Sequence, residues 1–119
     1  MGWLGTLFGA GKGIGPPEAD GLTRSGALLL DVREPAEWRA GHAPGACHIP
    51  LGELEDRLGE LPRDQTVVVA CRSGGRSARA TTVLTRSGFQ ALNLDGGMRA
   101  WASVGLAVQT DDGDAGTVV

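Results

Sequence analysis

Cys71 lies at the junction between a run of β-branched residues and a glycine-containing loop. A thiolate in that place can act as a nucleophile, because loop N–H groups and the positive end of a following helix stabilise the anion. Gly74 and Gly75 allow the tight backbone turn that directs N–H groups inward. Arg72 and Arg76 add two positive charges beside the thiol. These residue types predict covalent chemistry at Cys71 and an anionic ligand in the loop. Because the loop is expected to be open at the edge of the sheet, the thiol is predicted to be only partly buried.

The charge distribution also favours an anion-binding loop. The chain carries a net charge of −3, yet no acidic residue lies between Thr66 and Leu94, a stretch that contains four arginines. An inert core thiol is the alternative, since free cysteine is among the most buried residue types. The glycines and arginines favour the reactive interpretation. The predicted substrate-binding residues are Arg72, Ser73, Gly74, Gly75, Arg76 and Ser77.

Three segments of the chain resemble one protein family. Residues 71–77, CRSGGRS, are similar to the active-site loop of the rhodanese family of sulfurtransferases. Residues 29–38, LLDVREPAEW, continued by 41–51, GHAPGACHIPL, resemble one flanking signature of that family, and residues 93–101, NLDGGMRAW, resemble another. All three occur in the family's order, and the resemblance spans about residues 16 to 108.

The resemblance implies a two-step sulfur transfer with Cys71 as the catalytic residue. The thiolate attacks the outer sulfur of a donor such as thiosulfate, sulfite leaves, and a persulfide remains on Cys71. Cyanide or a thiol then removes the sulfur, and a protein could also be the acceptor. Arg72 and Arg76 would bind the sulfonate end of the donor. No metal and no organic cofactor is implied.

Two other functions compete with sulfur transfer. One is a non-catalytic binding module, which the intact cysteine and arginines disfavour. The other is a cysteine-dependent phosphatase or arsenate reductase, whose loop resembles Cys-x5-Arg. Here Arg76 comes five positions after Cys71 and Ser77 occupies the sixth, so the loop is shorter than a phosphate requires. A redox partnership between Cys71 and Cys47 is a further alternative, but it needs Cα atoms within about 7 Å.

Four charged residues are predicted to support the site without reacting. Asp31, Arg33 and Glu37 cluster at the end of the first strong strand, and Asp95 follows the last one. The carboxyl ends of parallel strands meet at one edge of a sheet, which is also where Cys71 lies. We expect Asp31, Arg33 and Glu37 to form an ion network there that fixes the loops, and residues 95–97 to form a turn.

The pattern of elements predicts an α/β fold. Apolar runs predict strands at 27–31, 46–49, 66–70 and 91–94, and helical patterns alternate with them. This alternation indicates a mostly parallel sheet with helices on both faces, and the family resemblance implies about five strands. The predicted helices cover 16–25, 35–40, 51–58, 76–87 and 98–104.

Length, composition and cysteine content predict the domain organisation, the kinds of partner and the location of the chain. The 119 residues are predicted to form a flexible N-terminal arm at 1–15, a rhodanese-like domain at 16–108 and a disordered acidic tail at 109–119. A pI near 5.2 argues against nucleic acid as a partner. No segment is long and apolar enough for a membrane span. Two cysteines do not make a disulfide framework, so a reducing, cytoplasmic location and a monomer are expected.

Overall fold

The computed structural model describes residues 12–119, which form an α/β domain. Its five strands pair in parallel in the order β1-β5-β4-β2-β3. The fold class expected from the sequence is therefore confirmed. The strands are β1 Gly13–Ile14, β2 Leu28–Asp31, β3 Cys47–His48, β4 Val67–Ala70 and β5 Ala91–Leu94.

The central strand β4 is apolar on both sides because both sides are covered. All four of its residues are buried. Val67 and Val69 belong to one core cluster, whereas Val68 and Ala70 belong to a second cluster on the other face. Successive side chains of a strand point to opposite faces, so a continuous apolar run is what a doubly covered strand needs.

Helices cover both faces of the sheet. Proline occupies the first turn of the first two helices, where its missing N–H costs nothing. No helix within residues 12–119 is long and apolar enough to cross a bilayer. The helices are α1 Pro16–Arg24, α2 Pro35–Ala40, α3 Gly75–Arg86 and α4 Gly97–Ser103.

One predicted helix has a different geometry. Residues 51–58 were expected to form a single α-helix, but the structure has two 3-10 segments, Leu51–Glu53 and Glu55–Glu60. Leu51 and Leu54 both face the first core cluster. Their spacing of three residues suits a helix with three residues per turn, so burial of the leucines favours the tighter form.

The N-terminal boundary of the fold differs from the expected one. The flexible arm was predicted to extend through residue 15, but Gly13 and Ile14 form β1, which pairs with Asn93 and Leu94 of β5. Ile14 is buried in the second core cluster, and this burial holds the edge strand in place. The rest of the predicted arm, residues 1–11, lies outside the described residues.

The predicted disordered tail is instead packed on the domain. Gln109 exchanges backbone hydrogen bonds with His42, at 2.8 and 2.9 Å. The N–H of Thr117 donates to the carbonyl of the last residue of α2, at 2.9 Å. Val118 packs against the second core cluster. Residues 109–119 are thus held mainly by main-chain hydrogen bonds to distant residues, and such bonds leave no pattern in a short polar sequence.

Candidate active site

The loop after β4 places Cys71 at the carboxyl edge of the sheet. β4 ends at Ala70 and α3 begins at Gly75, so only four residues connect them. Gly74 precedes the helix with a φ of 115°, a conformation that L side chains rarely adopt. This glycine turns the chain abruptly enough to bring its own N–H back to the cysteine.

Hydrogen bonds converge on the sulfur of Cys71. The N–H of Gly74 donates to Sγ at 3.0 Å, and the Ser77 hydroxyl lies 3.3 Å from it. Burial raises the pKa of the Cys71 thiol, but hydrogen bonds from the Ser77 hydroxyl and from the N–H groups of Ser77, Gly74 and Ser73 outweigh it. The net result is a pKa below the ordinary value for cysteine, and the loop therefore favours a thiolate.

The thiol is more enclosed than the sequence suggested. A partly exposed cysteine in an open loop was expected, whereas Cys71 is only 1% exposed and belongs to the first core cluster. Direct hydrogen bonds to Sγ account for the lowered pKa. A buried anion needs such donors at contact distance.

Arg76 does not project freely toward a ligand. Its Nη1 and Nη2 donate to the two carboxylate oxygens of Glu37, at 2.7 and 2.9 Å. This bidentate pair lowers the pKa of Glu37 to about 2 and raises the pKa of Arg76. The positive charge of Arg76 is therefore largely compensated in this structure, and the pair joins α3 to α2.

Arg72 is the more accessible of the two loop arginines. Its side chain is exposed and takes part in no ion pair within residues 12–119. Its Nε donates to the main-chain oxygen of Val119 at 2.9 Å, so the tail reaches the rim of the loop. The carbonyl of Arg72 accepts a hydrogen bond from the N–H of Arg99 in α4. The loop is thus anchored by α4 while the Arg72 side chain faces outward.

The network predicted for Asp31, Arg33 and Glu37 is divided into two separate ion pairs. Arg33 is fully buried and donates from Nε and Nη2 to the carboxylate of Asp31, at 2.7 to 3.0 Å. Arg33 Nη2 also donates to the carbonyl of Gly41 at 2.8 Å. Glu37 pairs with Arg76 instead of joining this cluster. Asp95 lies at the same edge, but it supports β1, since its N–H donates to the Ile14 carbonyl.

Asn93 is a site residue that the sequence analysis did not single out. It lies in β5, is 6% exposed, and donates from Nδ2 to the carbonyl of Gly74 at 3.3 Å. Its Oδ1 accepts from the Ser77 hydroxyl. A signal was present, because Asn93 is a polar residue inside a short apolar strand, and a buried amide requires hydrogen-bond partners.

Cys47 is separated from the loop. It lies on the edge strand β3, half-buried, and burial raises its pKa. β2 lies between β3 and β4, so two strand spacings put the Cα atoms of Cys47 and Cys71 about 9.6 Å or more apart. A disulfide needs about 7 Å or less. The alternative of a direct redox pair between the two cysteines is therefore not supported.

Comparison with known proteins finds one matching family and several similar proteins. The family model for the rhodanese-like domain matches residues 16–104. A sulfurtransferase of Allochromatium vinosum is 42% identical over 87 residues, which cover 72% of this chain and 81% of the relative. The putative sulfur carrier protein YrkF of Bacillus subtilis is 43% identical over 74 residues, 61% of this chain but only 40% of that protein.

Among solved structures, a rhodanese-related protein from Thermoplasma volcanium has a similar fold. The two superpose with a TM-score of 0.77 at 31% sequence identity, over 82% of this chain and 96% of the other.

Proposed function

The chain belongs to the rhodanese-like domain family, whose named relatives include sulfurtransferases, and we propose that it transfers sulfane sulfur through a persulfide on Cys71. The hydrogen-bond geometry around Sγ carries this proposal. Two donors lie within 3.3 Å of the sulfur, and they stabilise a thiolate before the reaction. The same donors would stabilise the negative charge of a persulfide.

The proposed reaction has two displacement steps. The Cys71 thiolate attacks the outer sulfur of thiosulfate, a bond forms between the two sulfurs, and sulfite leaves with the electron pair of the broken sulfur–sulfur bond. Cyanide or a thiolate then attacks the outer sulfur of the persulfide and restores the Cys71 thiolate. No general base is needed, because the loop already favours the ionised thiol.

Binding of the donor is assigned mainly to the loop amides and Arg72. Within residues 12–119 Arg72 has no side-chain carboxylate partner, and its Nε donates to the main-chain oxygen of Val119. Its other N–H groups can bind a sulfonate by charge-assisted hydrogen bonds, since the side chain is exposed. Arg76 would first have to exchange its bidentate contact with Glu37 for the donor. We therefore propose that Arg72 contributes more than Arg76 to the affinity for thiosulfate.

A protein is also a candidate sulfur acceptor. The relative YrkF is named as a putative sulfur carrier protein, and this name supports transfer between proteins in the family. Arg72 and Arg79 are exposed close to the active-site loop. An acceptor with acidic groups around its thiol would complement these charges.

Mass spectrometry tests the proposed intermediate. The protein is treated with thiosulfate, digested under non-reducing conditions, and the peptide containing Cys71 is weighed. We expect this peptide to gain one sulfur atom and to lose it on addition of cyanide, with thiocyanate released. The Cys71→Ser variant is the matched control. A wild-type peptide that gains no sulfur would contradict the proposal.

An aryl phosphate tests the phosphatase alternative in the same preparation. The segment from Cys71 to Arg76 contains six residues, and Arg76 is engaged by Glu37. We expect hydrolysis to remain at background. Hydrolysis that disappears in Cys71→Ser would favour phosphoryl chemistry over sulfur transfer.

A further inference from the structure

We propose that Asn93 is a positioning residue whose Oδ1 accepts the hydrogen bond of the Ser77 hydroxyl while Cys71 is a thiol. Asn93 loses this hydrogen bond when the thiolate forms and the hydroxyl donates to Sγ. Asn93 thereby opposes ionisation of Cys71 through Ser77. The inference rests on the proposed function only in taking the Cys71 thiolate to be the reactive species.

The Ser77 hydroxyl has one proton and three acceptors. Its Oγ lies 2.5 Å from Asn93 Oδ1, 3.3 Å from Cys71 Sγ and 3.3 Å from the Gly74 carbonyl. The Gly74 carbonyl already accepts from Asn93 Nδ2 and from the N–H of Ala78. The proton is therefore divided between Asn93 Oδ1 and Sγ, and the shorter contact is the one to Asn93.

The orientation of the Asn93 amide is determined by its second hydrogen bond. Nδ2 donates to the Gly74 carbonyl, so Oδ1 must face Ser77 and can only accept. In the thiol state, the Sγ–H can donate to Ser77 Oγ while the hydroxyl donates to Asn93. In the thiolate state, the thiol proton has gone to water and the hydroxyl turns to Sγ.

Burial makes this exchange unfavourable for Asn93. Ser77 is 0% exposed, Cys71 is 1% exposed and Asn93 is 6% exposed. When the hydroxyl turns away, Asn93 Oδ1 loses its donor where water has little access. A buried acceptor left without a partner costs free energy. Ionisation of Cys71 is therefore opposed by Asn93, and the thiolate that does form stays more basic and more nucleophilic.

A purely structural role for Asn93 predicts that the pKa of Cys71 changes in the opposite direction when Asn93 is removed. The Asn93 amide also holds Gly74, whose N–H donates to Sγ at 3.0 Å. If holding Gly74 were its only role, removing Asn93 would loosen this donor and raise the pKa of Cys71. If Asn93 competes with Sγ for the Ser77 hydroxyl, removing Asn93 leaves the hydroxyl to Sγ and lowers the pKa of Cys71. The direction of the shift therefore separates the two roles.

A double-mutant cycle tests the inference. The pH midpoint of iodoacetamide alkylation at Cys71 is followed by peptide mass spectrometry in wild type, Asn93→Ala, Ser77→Ala and the double variant. We expect Asn93→Ala to lower the midpoint by about half a unit or more when Ser77 is present. In the Ser77→Ala background, the same substitution should leave the midpoint unchanged or raise it.

Two further variants provide a substitute for Asn93→Ala and a control. Asn93→Val removes the acceptor but retains a side chain that suits a strand, so it replaces Asn93→Ala if circular dichroism shows that the alanine variant does not fold. Thr82→Ala is the matched control, because it removes a hydroxyl of α3 that bonds to the Ala78 carbonyl, away from Sγ. We expect no shift in this control.

A midpoint that stays constant or rises in Asn93→Ala with Ser77 present would overturn the inference, as would an equal downward shift in both backgrounds. The measurement reports ionisation and not sulfur transfer. If no persulfide forms but the cycle behaves as expected, the proposed function fails while the inference about Asn93 holds.

Discussion

The pKa values of the two cysteines are shifted in opposite directions although both side chains lie on the same side of the sheet. Cys71 belongs to the first core cluster, and Cys47 packs against that cluster. Burial raises the pKa of both thiols, yet the net shift is downward for Cys71 and upward for Cys47. Burial therefore cannot explain which thiol is activated.

The difference lies in the backbone around each sulfur. Cys47 is inside a strand, where its neighbours' N–H and carbonyl groups serve the pairing of β3 with β2. Cys71 follows the end of β4, where the N–H groups of Ser73, Gly74 and Ser77 instead favour the sulfur anion. The N–H groups beyond the end of β4 are thus available to the Cys71 sulfur, whereas those of β3 are used in strand pairing.

Exchange of each cysteine for serine gives the largest expected contrast. Cys71→Ser should lower thiosulfate:cyanide transfer by at least about 10³-fold, because removal of a nucleophile removes the covalent route. Cys47→Ser should retain most of the activity, since Cys47 lies two strands away. Cyanide-dependent thiocyanate formation measures both.

A comparable loss in both variants would contradict the contrast and would show that Cys47 takes part in the reaction. Melting curves of the two variants serve as the control, because a loss that follows unfolding does not report on chemistry.

The pH dependence of alkylation gives the next largest contrast. A free thiol has a pKa of about 8.5. We expect the midpoint for Cys71 below that value and the midpoint for Cys47 above it, because hydrogen bonds favour the anion only at Cys71. Since a lowered pKa means that the proton is lost earlier, Cys71 should reach its full alkylation rate at a lower pH than Cys47.

The Ser77→Ala variant sharpens this test. It removes the hydroxyl 3.3 Å from Sγ and should raise the Cys71 midpoint, while the Cys47 midpoint stays where it was. Equal midpoints for the two thiols in wild type would show that the loop does not activate Cys71. Mass spectrometry of the two peptides follows both sites in one sample.

Replacement of Arg76 should have a smaller effect on the two thiols. Because Glu37 compensates its charge, Arg76→Ala should raise the Cys71 midpoint less than Ser77→Ala does. Glu37→Gln is the matched variant, since it frees the Arg76 charge and should lower the Cys71 midpoint. A larger rise in Arg76→Ala than in Ser77→Ala would mean that charge, and not hydrogen bonding, sets the ionisation.

Removal of the tail should have the smallest effect on the thiols and a separate effect on stability. Deletion of residues 109–119 should leave both midpoints unchanged, because Cys71 Sγ accepts its hydrogen bonds from Gly74 and Ser77 and Cys47 lies on the edge strand β3. It should lower the melting temperature, since Val118 packs against the second core cluster and Gln109 pairs with His42. An unchanged melting temperature would support the disordered tail expected from the sequence.

Helices and strands could be predicted where neighbouring residues in the chain determine them. The buried strand β4 and the helices that begin at Pro16 and Pro35 follow from apolar runs and N-terminal proline. The edge strand Gly13–Ile14 was missed, because two residues carry no periodicity and are held by pairing with β5. The 3-10 geometry near Leu54 was missed because contacts with the core select it.

The position of Cys71 and the glycine that turns its loop were determined by the sequence alone. A β-branched run followed by Cys71, Gly74 and a helical pattern dictates strand, turn and helix, because each choice depends on neighbours in the chain. The direction of the change in the Cys71 pKa could be inferred from the same local pattern.

Only the tertiary structure decided which partners the loop residues acquire. Glu37 binds Arg76 across 39 positions, and Asn93 reaches Ser77 across 16. Such contacts depend on the order of strands in the sheet and on the packing of α2 and α3, neither of which is encoded in a local pattern. The sequence thus determined where Cys71 lies, and the packing determined which groups share its hydrogen bonds and which arginine remains more accessible.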